Sequence, residues 1–452
     1  MKRIHFIGIG GYSMSGLALW LHRQGYAVTG SDMNPSSRTD RLLRDGILVW
    51  FGHAADHVQG ADEVIFNTDV HEDNVEWQAA QAAGLPLRHR SDVLAEILNT
   101  KRAITVSGTH GKTTTTTMIG TVLSGAGFDP SILVGGEVET FGGNVRVGQS
   151  EWIVAEADES DGTFLRYHPE IAVATNIEPE HLEHFNESFD ALIGAFRRYL
   201  SAVPPNGIAV LGVDDPVLAA MAQDLPVPVR TYGLSDRAEV RGVILGQNRE
   251  GTLFDAYEGF LRLGSVHLKV PGVHNVKNAL ATLAVARHLG IDHASVFAAL
   301  SEFRNANRRF QVLARGPILV VDDYAHHPTE IRATLEACRQ VTNGRVIVLF
   351  QPQRYVRTHN LWHQFIEAFD AADIVVLTEI YAPPGELPIA GVSGSLLAQA
   401  IGQHRHAPIY YVPDMFDAVD LVMPLLMPGD TFITMGAGPV HKVGERVSQL
   451  LA

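Results

Sequence analysis

Apolar residues in this chain come in short runs, each closed by glycine, an acid or a small polar residue. Such runs, bounded by turn formers, read as strands of a parallel sheet covered on both faces. They fall at 5–9, 26–30 and 63–67, then at 103–107, 152–155 and 171–175, and again at 318–321, 345–350, 374–377 and 432–435. Between them, apolar positions at helical spacing predict helices at 14–24, 93–98, 115–124, 329–340 and 440–450. From 240 to 270 the pattern changes to short β-like runs at 240–245, 253–257 and 266–270, separated by glycine turns. Residues 271–279 then lead into a helix ending at 288, with His274 and Asn275 placed before it as capping chemistry. Alternation of strands and helices predicts an α/β protein. A chain of 452 residues is too long for one ordinary core. The pattern divides into three domains at 1–98, 99–313 and 314–452, each built on a mostly parallel sheet with helices. The first and third are Rossmann-like, and the second is organised around a phosphate-binding loop.

That loop is the stretch Gly108-Thr109-His110-Gly111-Lys112-Thr113-Thr114, set between a predicted strand and a predicted helix. Glycines let backbone approach phosphate oxygens, and the unpaired N–H groups of a helix start attract anions. Lys112 is then the cation for the terminal phosphates, and the Thr113 hydroxyl a ligand for Mg²⁺. The first glycine of a standard Walker A pattern is missing, because its place holds Val106. Two acidic clusters follow buried runs, Glu156-Ala157-Asp158-Glu159-Ser160-Asp161 and Glu178-Pro179-Glu180-His181. Carboxylates gathered at strand ends are costly unless they are solvated or hold a cation. Strand ends are also where open α/β sheets bind ligands. The expectation is a Mg²⁺ site facing the phosphate loop, with a solvated acidic loop as the plainer alternative.

Gly8-x-Gly10-x-x-Ser13 near the start lacks the third glycine of a dinucleotide fingerprint, but Asp32 follows where such folds place a ribose-binding acid. Taken alone it fits a phosphate docked at Gly11 or a plain tight turn equally well. In the last segment Asp322-Asp323-Tyr324-Ala325-His326-His327 and Gln353-Arg354-Tyr355-Val356-Arg357 both follow predicted strands. Arginines of this kind suit carboxylates, which they grip with two hydrogen bonds. Asn275 and Asn278 could read a base edge, and the pair Arg308-Arg309 a phosphate, although a solvated pair is the commoner meaning.

Composition narrows the field. Hydrophobic content of 46% and charged content of 19% describe a globular chain, and a net charge of −15 argues against a general binder of nucleic acid or anionic membrane. The single cysteine, Cys338, leaves no disulfide framework and suits a reducing cytoplasm. No apolar run is long enough to span a bilayer. A nicotinamide dehydrogenase and a nucleotide-binding switch protein both remain open from the residues alone.

The segments GIGGYSMSG, GTHGKTTTT, EADESDG, TNIEPEHLEHF, PGVHNVKNALA, RRF, DDYAHHPTEI, FQPQRYVRT and MGAGP follow one another along the whole chain. In that order they resemble the Mur ligases. The resemblance implies three α/β domains that hold in turn a UDP-sugar, ATP and an amino acid. It implies cytoplasmic synthesis of a peptidoglycan precursor from UDP-N-acetylmuramate, L-alanine and ATP, through an acyl phosphate, with Mg²⁺ (two ions, or Mn²⁺ in their place). No nucleic acid or membrane partner is expected. Carried over position by position, Gly108 to Thr114 with Asn275, Arg308, Arg309 and Asp323 would hold ATP. Gly8, Gly10, Gly11, Ser13, Asp32 and Asn176 would hold the UDP-sugar, and Tyr324, His326, Arg354 and Arg357 the amino acid. Thr113, Glu156 and His181 would hold metal, and Lys112, Glu156, His181, His326 and Arg357 would carry the chemistry. Gln353 stands where relatives have His. The carbamylated lysine of many relatives is absent, since no lysine lies between Lys112 and Lys269. The resemblance also leaves open a relative that adds a whole tripeptide. A closing third domain would hinge near 314–317.

Overall fold

The computed structural model describes residues 1–160, 162–383 and 385–452. Asp161, the last acid of its cluster, lies outside the described residues. Three sheets organise the chain. The first is formed by β1 (Arg3–Ile7), β2 (Ala27–Asp32), β3 (Leu48–Phe51), β4 (Glu63–Phe66) and β5 (Leu87–His89), in the order β3-β2-β1-β4-β5. All its pairings are parallel. Helices α1 (Tyr12–Arg23), α2 (Ser37–Arg44), α3 (Val75–Ala82) and α4 (Arg90–Thr100) connect the strands or follow them. The first strand ends two residues earlier than its apolar run, because Gly8 turns the chain at φ +77°, a conformation closed to strand and favoured by glycine.

The second sheet is built on β6 (Arg102–Ser107), followed by α5 (Lys112–Gly125). Its other strands are β7 (Ser131–Val138), β8 (Gly143–Arg146), β9 (Trp152–Glu156), β10 (Ile171–Ala174), β11 (Ile208–Gly212) and β12 (Val229–Gly233). A meander of β13 (Val240–Asn248), β14 (Gly251–Glu258) and β15 (Leu261–Leu268) extends it to ten strands, in the order β15-β14-β13-β12-β11-β10-β6-β9-β7-β8. The β-like runs at 240–270 are therefore strands added to this sheet. The helix after them spans Val273–His288. His274 and Asn275 lie inside it instead of capping it, and the Asn275 side chain donates to the Pro271 carbonyl at 2.7 Å.

The third sheet comprises β16 (Gln311–Arg315), β17 (Leu319–Asp323), β18 (Val346–Phe350), β19 (Ile374–Leu377), β20 (Ile409–Tyr411) and β21 (Thr431–Met435), in the order β16-β17-β21-β18-β19-β20. Only β16 runs antiparallel, paired with β17 from Gln311↔Asp322 to Arg315↔Leu319. The expected hinge at 314–317 is thus the turn of a hairpin inside this sheet. Bending there would tear two paired strands apart, so it cannot serve as a hinge.

The described chain divides into two compact units: Met1–Gly242 with Ala256–Gly264 and Lys277–Leu300, and Val243–Asp255 with Ser265–Val276 and Ser301–Ala452. In the first, one continuous apolar core runs from Ile4, Phe6, Leu17 and Trp20 to Ala103, Ile153, Phe164 and Phe196. The first sheet and the centre of the second therefore share it. Polar ties reinforce that junction: Asn144 donates to the Tyr12 carbonyl and reaches Ser15 Oγ at 3.2 Å, and Trp20 Nε1 donates to Ser131 Oγ at 3.3 Å. In the second unit the third sheet is covered on both faces, by clusters around Leu335 and Phe369 and around Val443 and Val447. No helix among the described residues is long and apolar enough to cross a membrane.

Candidate active site

β6 lies between β10 and β9, and the crossover at that point opens a crevice at the carboxyl ends of the strands. The phosphate loop fills it. Gly108 and Gly111 adopt φ +134° and +86°. A Cβ at Gly108 would meet Thr175 Oγ1 at 2.0 Å, and one at Gly111 would meet Asn278 Oδ1 at 2.9 Å. The end of β10 clamps the loop. The Asn176 side chain accepts the His110 N–H at 2.9 Å and donates to the His110 carbonyl at 3.0 Å. Thr175 Oγ1 donates to the same carbonyl at 2.6 Å, and Thr109 Oγ1 accepts the Glu178 N–H at 2.8 Å. The structure thus places Asn176, grouped with the UDP-sugar residues by the sequence reading, against the phosphate loop. Helix geometry leaves the first N–H groups of α5 without partners four residues back. Thr113 and Thr114 follow Lys112 in that first turn, both buried.

Lys112 is held by oxygens on every side. Its Nζ donates to the carbonyls of Gly108 at 2.6 Å and Thr109 at 3.3 Å, and to both Glu159 carboxylate oxygens at 2.8 and 3.0 Å. The Glu159 side chain is 3% exposed and that of Lys112 17%. Burial works against the ammonium, but Glu159, Asp158 and Glu156 overcome it and raise the lysine pKa. Burial raises the Glu159 carboxyl, against the pull of Lys112. The acidic cluster therefore has a cation of its own, which the sequence reading did not pair with it. Glu156, at the end of β9, accepts the Gly135 N–H at 2.6 Å. His181 adopts φ +57°, with its ring between Glu180 and Glu183, each at 3.8 Å.

At the first sheet, Gly8 and Ile9 donate their N–H groups to the Ser31 carbonyl, both at 2.9 Å. Gly10 donates to Asp32 Oδ2 at 2.8 Å. That carboxylate, expected to bind ribose, also braces the turn that precedes α1. Arg90, which belongs to none of the sequence motifs, donates to Ser13 Oγ at 3.1 Å. Gly11 is the residue before α1.

At the third sheet the expected residues separate into two groups. Tyr324 and His326 lie just beyond β17, rings 5.4 Å apart, with Arg309 over the Tyr324 ring at 5.2 Å. His326 Nδ1 lies 3.0 Å from the Tyr324 carbonyl and 3.5 Å from Glu330. Arg357 donates to Gln353 Oε1, and Arg354, at φ +69°, has its Nε 3.7 Å from Glu386. Arg308 and Asp323 are instead built into the scaffold. Arg308 donates to Asp322 at 3.0 Å and to the Gly436 carbonyl at 2.5 Å. Asp323 is 7% exposed and accepts the N–H groups of Phe310 at 2.6 Å and Ala325 at 2.8 Å. Burial pushes its carboxyl up to about 6. Through these two bonds Asp323 holds the β17 loop in shape. Two neighbouring backbone donors are not visible as a pattern in the residues, so the sequence reading missed this.

Three α/β sheets, with a glycine-lysine-threonine loop at the crossover of the largest, define a phosphate-loop nucleotide enzyme. Its sequence matches the Mur ligase family catalytic domain over residues 3–102, the Mur ligase middle domain over 106–286 and the Mur ligase glutamate ligase domain over 308–438. The chain belongs to the Mur ligase family. It is 48% identical to a UDP-N-acetylmuramate–L-alanine ligase of Symbiobacterium thermophilum, across 100% of this chain and 95% of that one. It is 43% identical to the enzyme of that name from Pelotomaculum thermopropionicum, across 99% and 98%. The crystal structure of UDP-N-acetylmuramate–alanine ligase from Thermotoga maritima superposes with a TM-score of 0.86 at 30% identity, covering 100% of this chain and 99% of that one. A murein peptide ligase of Psychrobacter arcticus shares the fold, with a TM-score of 0.72 at 24% identity over 100% and 99%.

Proposed function

We propose that this protein joins L-alanine to the lactyl carboxylate of UDP-N-acetylmuramate at the expense of ATP, in the cytoplasm, as a step of peptidoglycan precursor synthesis. The observation that carries the reading is the clamped phosphate loop with Lys112 at its centre, in a chain similar over its whole length to ligases of that name. Residues 1–98 hold the UDP-sugar, the second sheet holds ATP, and the third sheet, beginning with β16, holds the amino acid.

A carboxylate is a poor acyl donor. Transfer of the terminal phosphoryl group of ATP to the lactyl carboxylate gives an acyl phosphate and ADP. The L-alanine amine then attacks the acyl carbon, and phosphate leaves. Nucleophile and phosphoryl group are both anionic, so the first step needs positive charge between them. Lys112 supplies it, while the loop N–H groups and the dipole of α5 orient the phosphates. For Lys112 to reach a phosphate oxygen, its Glu159 contact must loosen. His326 and Arg357 act on the amino-acid side, with Tyr324 and Arg354 shaping that site.

The oxygen donors Thr113 and Glu156, on the first turn of α5 and the end of β9, suit a hard cation such as Mg²⁺. His181, flanked by Glu180 and Glu183, suits a second ion, for which Mn²⁺ is a reasonable substitute. Bound there, the metal supplies charge neutralisation to the triphosphate and the acyl phosphate.

The test is an acceptor screen. ATP-dependent phosphate release in the presence of UDP-N-acetylmuramate should require L-alanine and be weak or absent with the tripeptide L-alanyl-γ-D-glutamyl-meso-diaminopimelate. Release supported by the tripeptide and not by L-alanine would replace this reading with the tripeptide-adding one.

A further inference from the structure

The first sheet contains a polar cluster that the phosphate-loop chemistry leaves unused. Its centre is Glu76, in the first turn of α3 and 0% exposed. A buried carboxylate persists only when its lone pairs are filled, and here they are. Oε1 accepts from His57 Nδ1 at 2.6 Å and from the Ala54 N–H at 3.3 Å. Oε2 accepts from His5 Nε2 at 3.2 Å and from the Ser31 hydroxyl at 2.5 Å. His57 stacks on Trp50 with ring centroids 4.6 Å apart. Burial opposes the charge on Glu76, but the donors from His5, Ser31 and His57 outweigh it and hold the carboxyl at about 2.

This arrangement fixes a proton one residue further out. Ser31 has a single hydroxyl hydrogen, and it points at Glu76. His53 Nδ1 lies 3.0 Å from the same Ser31 oxygen. Ser31 can only accept from it, so His53 Nδ1 carries the ring hydrogen, and a neutral ring then leaves Nε2 as an acceptor. The His53 side chain is 18% exposed, the outermost member of the cluster. It follows β3, whose Phe51 pairs in register with Asp32, and the Gly52 N–H bonds the Asp32 carbonyl at 2.9 Å. His53 therefore stands on the same carboxyl edge as the Gly8–Gly11 turn, linked through Ser31 to the N–H groups of Gly8 and Ile9.

We propose that His53 is a recognition residue for the uridine part of the UDP-sugar, its Nε2 accepting an O–H or N–H donor of the nucleoside, with Glu76 and Ser31 as positioning residues that set its tautomer. The inference rests on the proposed UDP-sugar substrate. The uridine offers three such donors, the ribose 2′- and 3′-hydroxyls and the imide N–H of uracil, and the experiment separates them.

Steady-state ligation by the full chain is measured with UDP-N-acetylmuramate, its 2′-deoxyuridine and 3′-deoxyuridine analogues and its N3-methyluridine analogue. In the wild type one analogue shows a KM raised roughly two- to tenfold, the worth of one hydrogen bond. In His53→Ala the parent substrate shows that rise and the analogue adds no further penalty. His53→Gln, whose amide oxygen accepts, recovers part of the loss. Ring ¹⁵N spectra report a protonated Nδ1 on His53, lost in Ser31→Ala. The assignment is overturned by a wild type indifferent to all three analogues, by an unchanged KM in His53→Ala, by an analogue penalty that survives in His53→Ala, or by a protonated Nε2. Calorimetric binding of UDP to wild type and His53→Ala reads the same contact without ligation. Failure of the wild type to use L-alanine would therefore sink the proposed reaction while leaving the His53 contact open to measurement.

Discussion

Replacing Lys112 by methionine should damage stability and catalysis separately, and a second substitution should repair only one of them. The change leaves Glu159, 3% exposed, as a buried carboxylate without its cation. Removing one partner of a buried pair typically costs about 3–5 kcal/mol. Losing a positive charge aimed at a reacting phosphoryl group typically costs about 10²–10³ in rate. Glu159→Gln in the same chain removes the stranded charge but restores no cation. The double variant should thus regain at least about 2 kcal/mol of the lost stability, while turnover stays down by roughly 10²-fold or more. Urea unfolding followed by tryptophan fluorescence is a suitable assay, since Trp152 is buried on β9 in the same sheet as the loop. ATP-dependent phosphate release gives the rate. A double variant no more stable than Lys112→Met would show that Glu159 does not depend on Lys112. Recovery of turnover in the double variant would remove Lys112 from the phosphoryl transfer.

Asp323 should make stability fall as pH rises. Its carboxyl ordinarily titrates at 3.8 and is held at about 6 when folded, so between those values the folded chain binds the extra proton. The contribution lost on going from pH 4 to pH 7 is about 2 kcal/mol, and Asp323→Asn should flatten that part of the profile in urea unfolding. An identical pH slope in the variant would rule it out. Glu156→Gln exchanges an anionic oxygen for a neutral amide and should shift the activity curve to higher Mg²⁺ concentration; superimposed curves would reduce Glu156 to its bond with Gly135. Arg357→Ala should depress ligation more than acyl-phosphate formation, read as hydroxamate yield with hydroxylamine in the absence of L-alanine. Equal loss of both would move Arg357 to the ATP side.

The parts of this architecture that could be read from the residues are those in which one local signal decides. Gly108, Gly111 and Lys112 announce a loop because their spacing sits between a buried run and a helix. The strands 374–377 and 432–435 announce themselves because their apolar runs are unbroken, and they match the observed β19 and β21 within one residue. What escaped was long-range or weakly patterned. β5 has only three residues, and β7 contains Gly135 and Gly136 with a partly exposed end. β16 is half-buried along most of its length, so its last residues, Ala314 and Arg315, read as part of a hinge. Asn176 was recognised as a site residue, but its clamp on His110 was not, because that partner lies 66 positions away. Glu76 carried no signal at all: an acid in the first turn of a short helix looks like dipole complement until three histidines are seen to converge on it.

The apolar core shared by the first sheet and the centre of the second bears on how the chain acquires its structure. The family descriptions divide near residue 102, between modules that suggest independent inheritance. Yet Leu17, Trp20 and Leu21 of α1 are buried within the cluster that also takes in Val145 and Ile153. Released from that cluster, a fragment of residues 1–98 would present a wet apolar flank and tend to self-associate, as large exposed apolar patches do. The two modules should therefore mature as one cooperative foldon, with the amino-terminal segment waiting on the ribosome until β7 to β9 have emerged.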